Sequence, residues 1–209
     1  MTDSVTIVGG GFAGVEAAWQ VAERGVAVTL YEMRPVRNTP AHKTPDLAEL
    51  VCSNSLKADS LATASGLLKA ELRAFDSLIL QAADATRVPA GQALAVNREE
   101  FAREVTRRID GHPRISVVRE EVRTIPPGDP VILATGPLTS PDLAEALGRI
   151  ARREHLYFYD AVSPIVDGES IDYDVAFFAS RYGKGGDDGY LNIGLSREAY
   201  RAFHRNLLD

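Results

Sequence analysis

The sequence predicts an α/β fold of the Rossmann-like kind, a parallel sheet built from β-α-β units, which leads into a second, mixed α+β part. Three observations predict it. Val5-Thr-Ile-Val-Gly-Gly-Gly-Phe-Ala-Gly14 is an apolar strand pattern that runs through Gly9-x-Gly11-x-x-Gly14 into a helical one. Glu32 ends the next apolar stretch, Ala27-Val-Thr-Leu-Tyr31. Val131-Ile-Leu-Ala-Thr-Gly136 is a further strand-like run that ends in small residues.

The first stretch has the chemistry of a dinucleotide turn. Gly9 allows a tight turn that a side chain would oppose. Gly11 lets the backbone approach a pyrophosphate, and Gly14 lets the helix pack close to the strand. The helix N-terminus offers unpaired N–H groups and a partial positive charge to the phosphates. Gly9, Gly10, Gly11, Phe12, Ala13 and Gly14 are therefore candidate cofactor-binding positions, and the Glu32 carboxylate can accept hydrogen bonds from ribose hydroxyls. The alternative is a glycine-rich turn without a ligand. The motif alone leaves NAD and FAD both open.

Val15, Ala18, Val21 and Ala22 give the first helix a sheet-facing stripe, and Gly25 closes it. From Met33 to about Ser60, Pro35, Pro40 and Pro45 forbid a continuous helix and no strand alternation replaces it. A segment of this kind inside a domain either lines a ligand or wraps the surface. Helical spacing returns with Leu67, Leu68, Leu72 and Phe75 and continues through Leu78, Leu80, Ala82 and Ala83. Val88–Gly91 reads as a turn and Ala93–Val96 as a short strand. Asn97 caps a helix to about Ile109, with Glu99 and Glu100 favouring its dipole and Gly111-His-Pro113 stopping it. Ile115–Val118 and Val122–Ile125 read as a strand pair or a strand with a bend, and Val131–Gly136 as a buried strand. Ser140 and Pro141 start a helix to about Ile150. Short strand pieces follow at Pro164–Val166, Val175–Ala179 and Tyr190–Ile193, with a loop tip at Lys184–Gly189 and a last helix capped by Ser196. The predicted division is a Rossmann-like domain over 1–155, without its usual C-terminal return, and the beginning of a substrate or insertion domain over 156–209.

Composition narrows the classes. A 45% hydrophobic and 25% charged chain is ordinary for a globular protein. A net charge of −6 argues against nucleic-acid binding through overall charge. A local basic face stays open in Arg197, Arg201 and Arg205, where contact with RNA is weighed against a plain solvated surface. Cys52 is the single cysteine, so an internal disulfide and a thiolate-rich zinc site are excluded and no metal is expected. No apolar run approaches the ~18 residues of a membrane span, and the first strand follows the start of the sequence directly, so no membrane association and a cytoplasmic location are expected.

Longer motifs carry a resemblance. Glu32-Met-Arg-Pro35, Thr39-Pro-Ala-His42, Glu49-Leu-Val-Cys-Ser-Asn-Ser-Leu56, Arg87-Val-Pro-Ala-Gly91, Ala134-Thr-Gly-Pro-Leu-Thr-Ser-Pro141, Tyr157-Phe-Tyr-Asp-Ala161 and Phe178-Ala-Ser-Arg-Tyr182 are involved. Together they resemble the bacterial folate- and FAD-dependent tRNA (uracil-5-)-methyltransferase family across essentially the whole chain. The resemblance implies a flavoprotein of the two-dinucleotide-binding-domain type. FAD is the implied cofactor, NAD(P)H and 5,10-methylenetetrahydrofolate the implied co-substrates, and tRNA the implied partner. It adds Met33, Arg34, Ala134, Thr135 and Gly136 to the candidate FAD-binding residues.

Methylation at uracil C5 needs the base activated, and a thiolate adding at C6 is one route. Cys52 is the candidate, set among Ser53, Asn54 and Ser55, whose donors could steady a thiolate; the alternative is a structural cysteine. Two departures from the family stand out. Where it reads Tyr-Leu-Asn-Cys-Pro-Met-Thr, this chain reads Tyr190-Leu-Asn-Ile-Gly-Leu-Ser196, so Ile193 replaces a functional cysteine. The family's chain is also about twice as long as this one. Three readings follow: an FAD-binding relative deficient in methyl transfer on its own, one chain or fragment of a split methyltransferase, and a non-catalytic binding or assembly module. A second chain supplying the missing half, or self-association, is accordingly expected.

Overall fold

A computed structural model describes residues 4–128, 130–151, 166–180 and 189–208. The first strand, β1 (Ser4–Val8), leads through α1 (Phe12–Glu23) to β2 (Ala27–Tyr31). These bounds follow the sequence pattern closely, and Gly25, at φ +85°, ends α1 in a conformation that favours glycine. Two further strands, β6 (Ile115–Val118) and β7 (Val131–Leu133), complete a parallel sheet in the order β6-β2-β1-β7. Register runs Ile7 against Leu30 and Ile132, and Leu30 against Val117. The chain builds outward from β1 on one side and returns to its other side at β7. The sheet therefore has a switch point between β1 and β7, where the strand ends part and leave a crevice.

Between β2 and β6 the chain forms a cover for this sheet. A small antiparallel sheet joins β3 (Ser55–Ala58), β4 (Arg87–Val88) and β5 (Ala93–Val96). Helices α2 (Ala64–Ala74), α3 (Leu78–Ala85) and α4 (Arg98–Asp110) surround it. The main core packs Ile7, Val15, Ala18 and Leu30 against Leu78, Leu94, Phe101, Val105 and Ile109, all buried. Asn97 caps α4 as expected, its side chain accepting the Glu100 N–H at 3.2 Å. Beyond the sheet come α5 (Pro141–Ala151), an antiparallel hairpin of β8 (Ala176–Ala179) and β9 (Tyr190–Ile193), and α6 (Arg197–Leu208). Ser196 caps α6, its hydroxyl accepting from Ala199 N at 3.2 Å.

Several expectations need correction. The helical run from Leu67 to Ala83 is two helices, broken at Asp76 with φ +56° and restarted by the Ser77 hydroxyl, which accepts from Leu80 N. Leu67, Leu68 and Phe75 are 51%, 55% and 65% exposed. Leu72 packs on the main core as expected, and the rest of the inner face of α2 is Gly66 and Lys69, where a Cβ on Gly66 would lie 1.9 Å from Ser60 O. β3 was not expected; it forms because Ser55 and Ala58 pair with β5 across a register shift. Val122–Ile125 is not a strand. Upstream of it Arg119 Nη1 ties the chain to the carbonyls of Arg34 (3.1 Å) and Pro45, and the segment turns toward the sheet ends instead of pairing. β7 is only partly buried, because it is the edge strand among the described residues. Val166 lies outside any strand, while Pro164, Tyr157–Ala161 and most of Lys184–Gly189 fall outside the described residues. No described helix is long and apolar enough to cross a membrane.

Candidate cofactor-binding site

The crevice at the switch point is an open cleft formed by the C-terminal ends of β1, β2 and β7. Gly9 turns the chain at φ +111°, and a Cβ there would meet Ala134 O at 2.5 Å. Gly14 has the opposite neighbour: a Cβ on it would sit 1.7 Å from Gly9 O, so helix and turn pack at a distance only glycine permits. Gly10 is constrained as well, since its Cβ would strike Glu32 Oε2 and Leu47 at 2.6 Å.

Gly11 differs from all three. Its φ is −78°, which any residue adopts, and a Cβ there would meet nothing within 4 Å. No internal contact requires glycine at this position, and Gly11 borders the cleft. Gly11 is also the N-cap of α1, and no side chain caps that helix. Its first N–H groups carry the positive end of the helix dipole and are unpaired within the described residues. A diphosphate against Gly11 would use both features.

Glu32 is buried at the end of β2. Its Oε2 accepts the Gly10 N–H at 2.9 Å, and its Oε1 accepts the Arg34 backbone N–H and Nε, each at 2.9 Å. Burial alone would raise the pKa of this carboxyl. The Arg34 hydrogen bonds and charge, with the Gly10 N–H, outweigh burial and hold it below the usual carboxylate range. With Oε1 taken twice and Oε2 once, an acceptor position remains on Oε2 for a hydroxyl in the cleft.

Arg34 is 2% exposed and bridges Glu32 to Glu49, whose Oε2 takes Nη1 at 3.0 Å. Nη1 also donates to Thr44 O at 3.2 Å. Glu49 in turn accepts the backbone N–H groups of Lys43 and Thr44 and the Thr44 hydroxyl. These donors and Arg34 overcome burial and keep the Glu49 carboxyl below its ordinary range too. The network fixes the irregular chain after β2, as does Ala48 N donating to Gly10 O at 2.8 Å. That chain walls the cleft with Met33, Thr39 and His42.

Of the candidate residues, Gly9, Gly10, Gly11, Glu32, Met33, Arg34, Ala134 and Thr135 border this cleft. Phe12, Ala13, Gly14 and Gly136 do not. Phe12 packs on Phe101 with ring centroids 5.4 Å apart, and Gly136 takes φ +65° in a turn after β7. Thr39 and His42 border it too, as the ligand-lining reading of the Met33–Ser60 segment expects, whereas Glu120, Glu121, Leu138, Thr139 and Leu143 border the cleft without being among the candidate residues. Nothing in their spacing marks them, because they reach the cleft only once β6 and β7 flank β2 and β1.

Cys52 is exposed and lies outside the cleft. Among the described residues Cys52 makes no hydrogen bond; near it Asn54 Nδ2 donates to Val96 O at 3.2 Å, and Ser53 Oγ accepts from Ser55 N at 3.1 Å. Ile193 is 64% exposed at the end of β9. Arg197, Arg201 and Arg205 are exposed on α6, and no ion pair to them exists among the described residues.

The fold and the cleft define a Rossmann-type domain with a crevice at its switch point, bordered by the glycine turn and Glu32. Over residues 4–209 the chain matches the family model described as glucose inhibited division protein A, and it belongs to that family. It is 60% identical over 208 residues to methylenetetrahydrofolate–tRNA-(uracil-5-)-methyltransferase of Moorella thermoacetica, covering 100% of this chain and 47% of the relative. The corresponding enzyme of Citrifermentans bemidjiense is 58% identical over 208 residues, with 100% and 48% covered. The chain thus spans about half the length of these curated relatives. The solved structure of Aquifex aeolicus GidA superposes with a TM-score of 0.52 at 17% identity, over 65% of this chain and 25% of that one, which supports the fold alone.

Proposed function

We propose that this chain binds FAD at the switch-point cleft and is the flavin-holding part of a folate-dependent tRNA (uracil-5-)-methyltransferase. The observation that carries the reading is Gly11, a glycine with ordinary φ and empty space where its side chain would be, at an uncapped helix N-terminus. The backbone at Gly11 and the helix N-terminus that follows it would hold the diphosphate, Gly10 would position Glu32 through its N–H, and Glu32 would accept from a ribose hydroxyl. Ala134 and Thr135 would flank the cofactor from β7. When bound, the flavin supplies the redox and one-carbon chemistry, with 5,10-methylenetetrahydrofolate and NAD(P)H as co-substrates and the T-loop uracil of tRNA as acceptor. The relatives at 60% and 58% identity, named for that activity, support the choice of FAD over NAD.

We further propose that residues 1–155 form the cofactor domain and 156–209 begin a substrate domain. In this arrangement the chain is deficient in methyl transfer by itself. Ile193 has no nucleophilic or proton-transferring group, and Cys52 lies outside the cleft with no polar partner for a thiolate among the described residues. Activity then requires the part of the relatives that this chain does not span, as a second chain or as a continuation. A cytoplasmic location fits work on tRNA.

The test is to incubate the purified chain with FAD, remove free flavin, and record the flavin absorbance. Methylation of tRNA transcript is then assayed with folate donor and reduced nicotinamide, alone and with a polypeptide matching the other half of a relative. Bound flavin with methylation only in the mixture is the expected result. A folded chain that stays colourless removes the reading.

A further inference from the structure

His42 sits on the chain that follows β2 and borders the cleft. Its tautomer is set by Thr39. Thr39 Oγ1 accepts the backbone N–H of His42 at 3.0 Å and of Ala41 at 3.3 Å. A hydroxyl has two acceptor lone pairs and one proton. With both lone pairs taken, the proton goes to His42 Nδ1, 2.6 Å away. Nδ1 is thereby an acceptor, and the neutral ring carries its proton on Nε2. Nε2 has no hydrogen-bond or ionic partner among the described residues.

The surroundings favour a neutral donor here. Burial first, then the Arg34 charge, push the imidazole below its usual range, against the opposing pull of Glu49 and Glu32. Several other side-chain donors at the cleft are already committed. Arg34 places its Nε and Nη1 hydrogens on Glu32, Glu49 and Thr44, the Thr139 hydroxyl donates to Gly136 O at 2.8 Å, and the Thr135 hydroxyl therefore donates to Thr139 at 2.6 Å, while Tyr31 and Ser140, which carry hydroxyls, also border the cleft. We infer that His42 is a ligand-binding residue, whose Nε2–H, oriented by Thr39, donates a hydrogen bond to an oxygen of the phosphate–ribose segment of the bound dinucleotide. The inference rests on the dinucleotide reading of the cleft.

The experiment titrates ADP into the full chain by calorimetry, for the wild type and for His42→Ala, His42→Gln and Thr39→Val, alongside ¹⁵N spectra of the histidine rings. His42→Ala should bind ADP about tenfold more weakly, the usual effect of losing one such bond. His42→Gln, whose amide can donate from the same place, should recover most of that loss, which separates a lost donor from a lost fold. Thr39→Val should weaken ADP and release the ring from the Nε2–H tautomer in the same spectra, and the wild-type ring should show the Nε2–H tautomer and shift at Nε2 when ADP is added. Wild-type affinity in His42→Ala, or an Nδ1–H tautomer in the wild type, overturns the inference while leaving the site in place. If the wild type takes up neither ADP nor FAD, the dinucleotide reading falls and the assignment falls with it.

Discussion

At the scale of single residues, glycines with different reasons to be glycine divide the work of the turn. Gly14→Ala forces a Cβ to 1.7 Å from Gly9 O, so a backbone shift must follow. Chemical denaturation should show a loss of about 3 kcal/mol or more, in the range that diagnoses strain at a packed backbone. Gly11→Val has open space in the free protein and should leave the melting temperature nearly unchanged while abolishing uptake of ADP and FAD. The contrast was partly legible in the sequence, where spacing alone assigns one role to Gly14 and another to Gly11. The constraint on Gly10 by Glu32 was not, because it depends on β1 and β2 lying side by side.

The buried charges give further residue-scale outcomes. Removing the guanidinium in Arg34→Met leaves Glu32 and Glu49 facing each other without their shared cation. Breaking a buried pair in this way costs about 3–5 kcal/mol, measurable by urea denaturation. Glu32 has a folded pKa below its reference of 4.5, so the folded state prefers the charged form. The stability from that preference is present in full above pH 4.5 and is lost as pH falls through the lower folded value. The urea midpoint should therefore drop on acidification below that point, and Glu32→Gln should flatten the drop. Sequence reading placed Arg34 near the cofactor path. It could not show that the side chain is sealed into an ion-pair network, since Glu49 is far along a segment without periodicity.

At the scale of elements, strong periodicity was read well and weak periodicity poorly. β1, α1, β2 and α4 have apolar spacing, caps and glycine stops that agree, and they form where these signals place them. Asn97→Ala tests one such signal. Loss of the cap on α4 should cost about 1 kcal/mol of unfolding free energy, with no effect on ligand affinity. α2 shows the limit: of its leucines only Leu72 packs on the core, while Leu67 and Leu68 are exposed and Gly66 and Lys69 face inward, where a side chain at 66 would strike Ser60. Periodicity identifies a helix but does not choose its buried face when another surface remains to be covered. β3 and the cleft segment near Glu120 are set by tertiary contacts that no local pattern encodes.

At the scale of the whole molecule, the N-terminal sheet and its cover have a closed core, while the described C-terminal elements expose apolar side chains. Phe177 and Phe178 on β8, Ile193 on β9, and Tyr200, Phe203 and Leu207 on α6 are all exposed. Exposed apolar side chains in this number bind apolar probes and promote association. The chain should raise the fluorescence of an apolar dye in its folded state, and Phe203→Gln with Leu207→Gln should lower that signal without loss of flavin uptake. Equal signals would place the exposed apolar surface elsewhere.

The central claim is that the cleft at the ends of β1, β2 and β7 holds FAD through the backbone at Gly11. It is tested most directly by the flavin absorbance of the folded chain after incubation with FAD and removal of the excess, beside Gly11→Val. A yellow wild type with about one flavin per chain and a colourless, equally folded variant is the expected result. A wild type that folds and stays colourless, or a variant that holds flavin equally well, contradicts it.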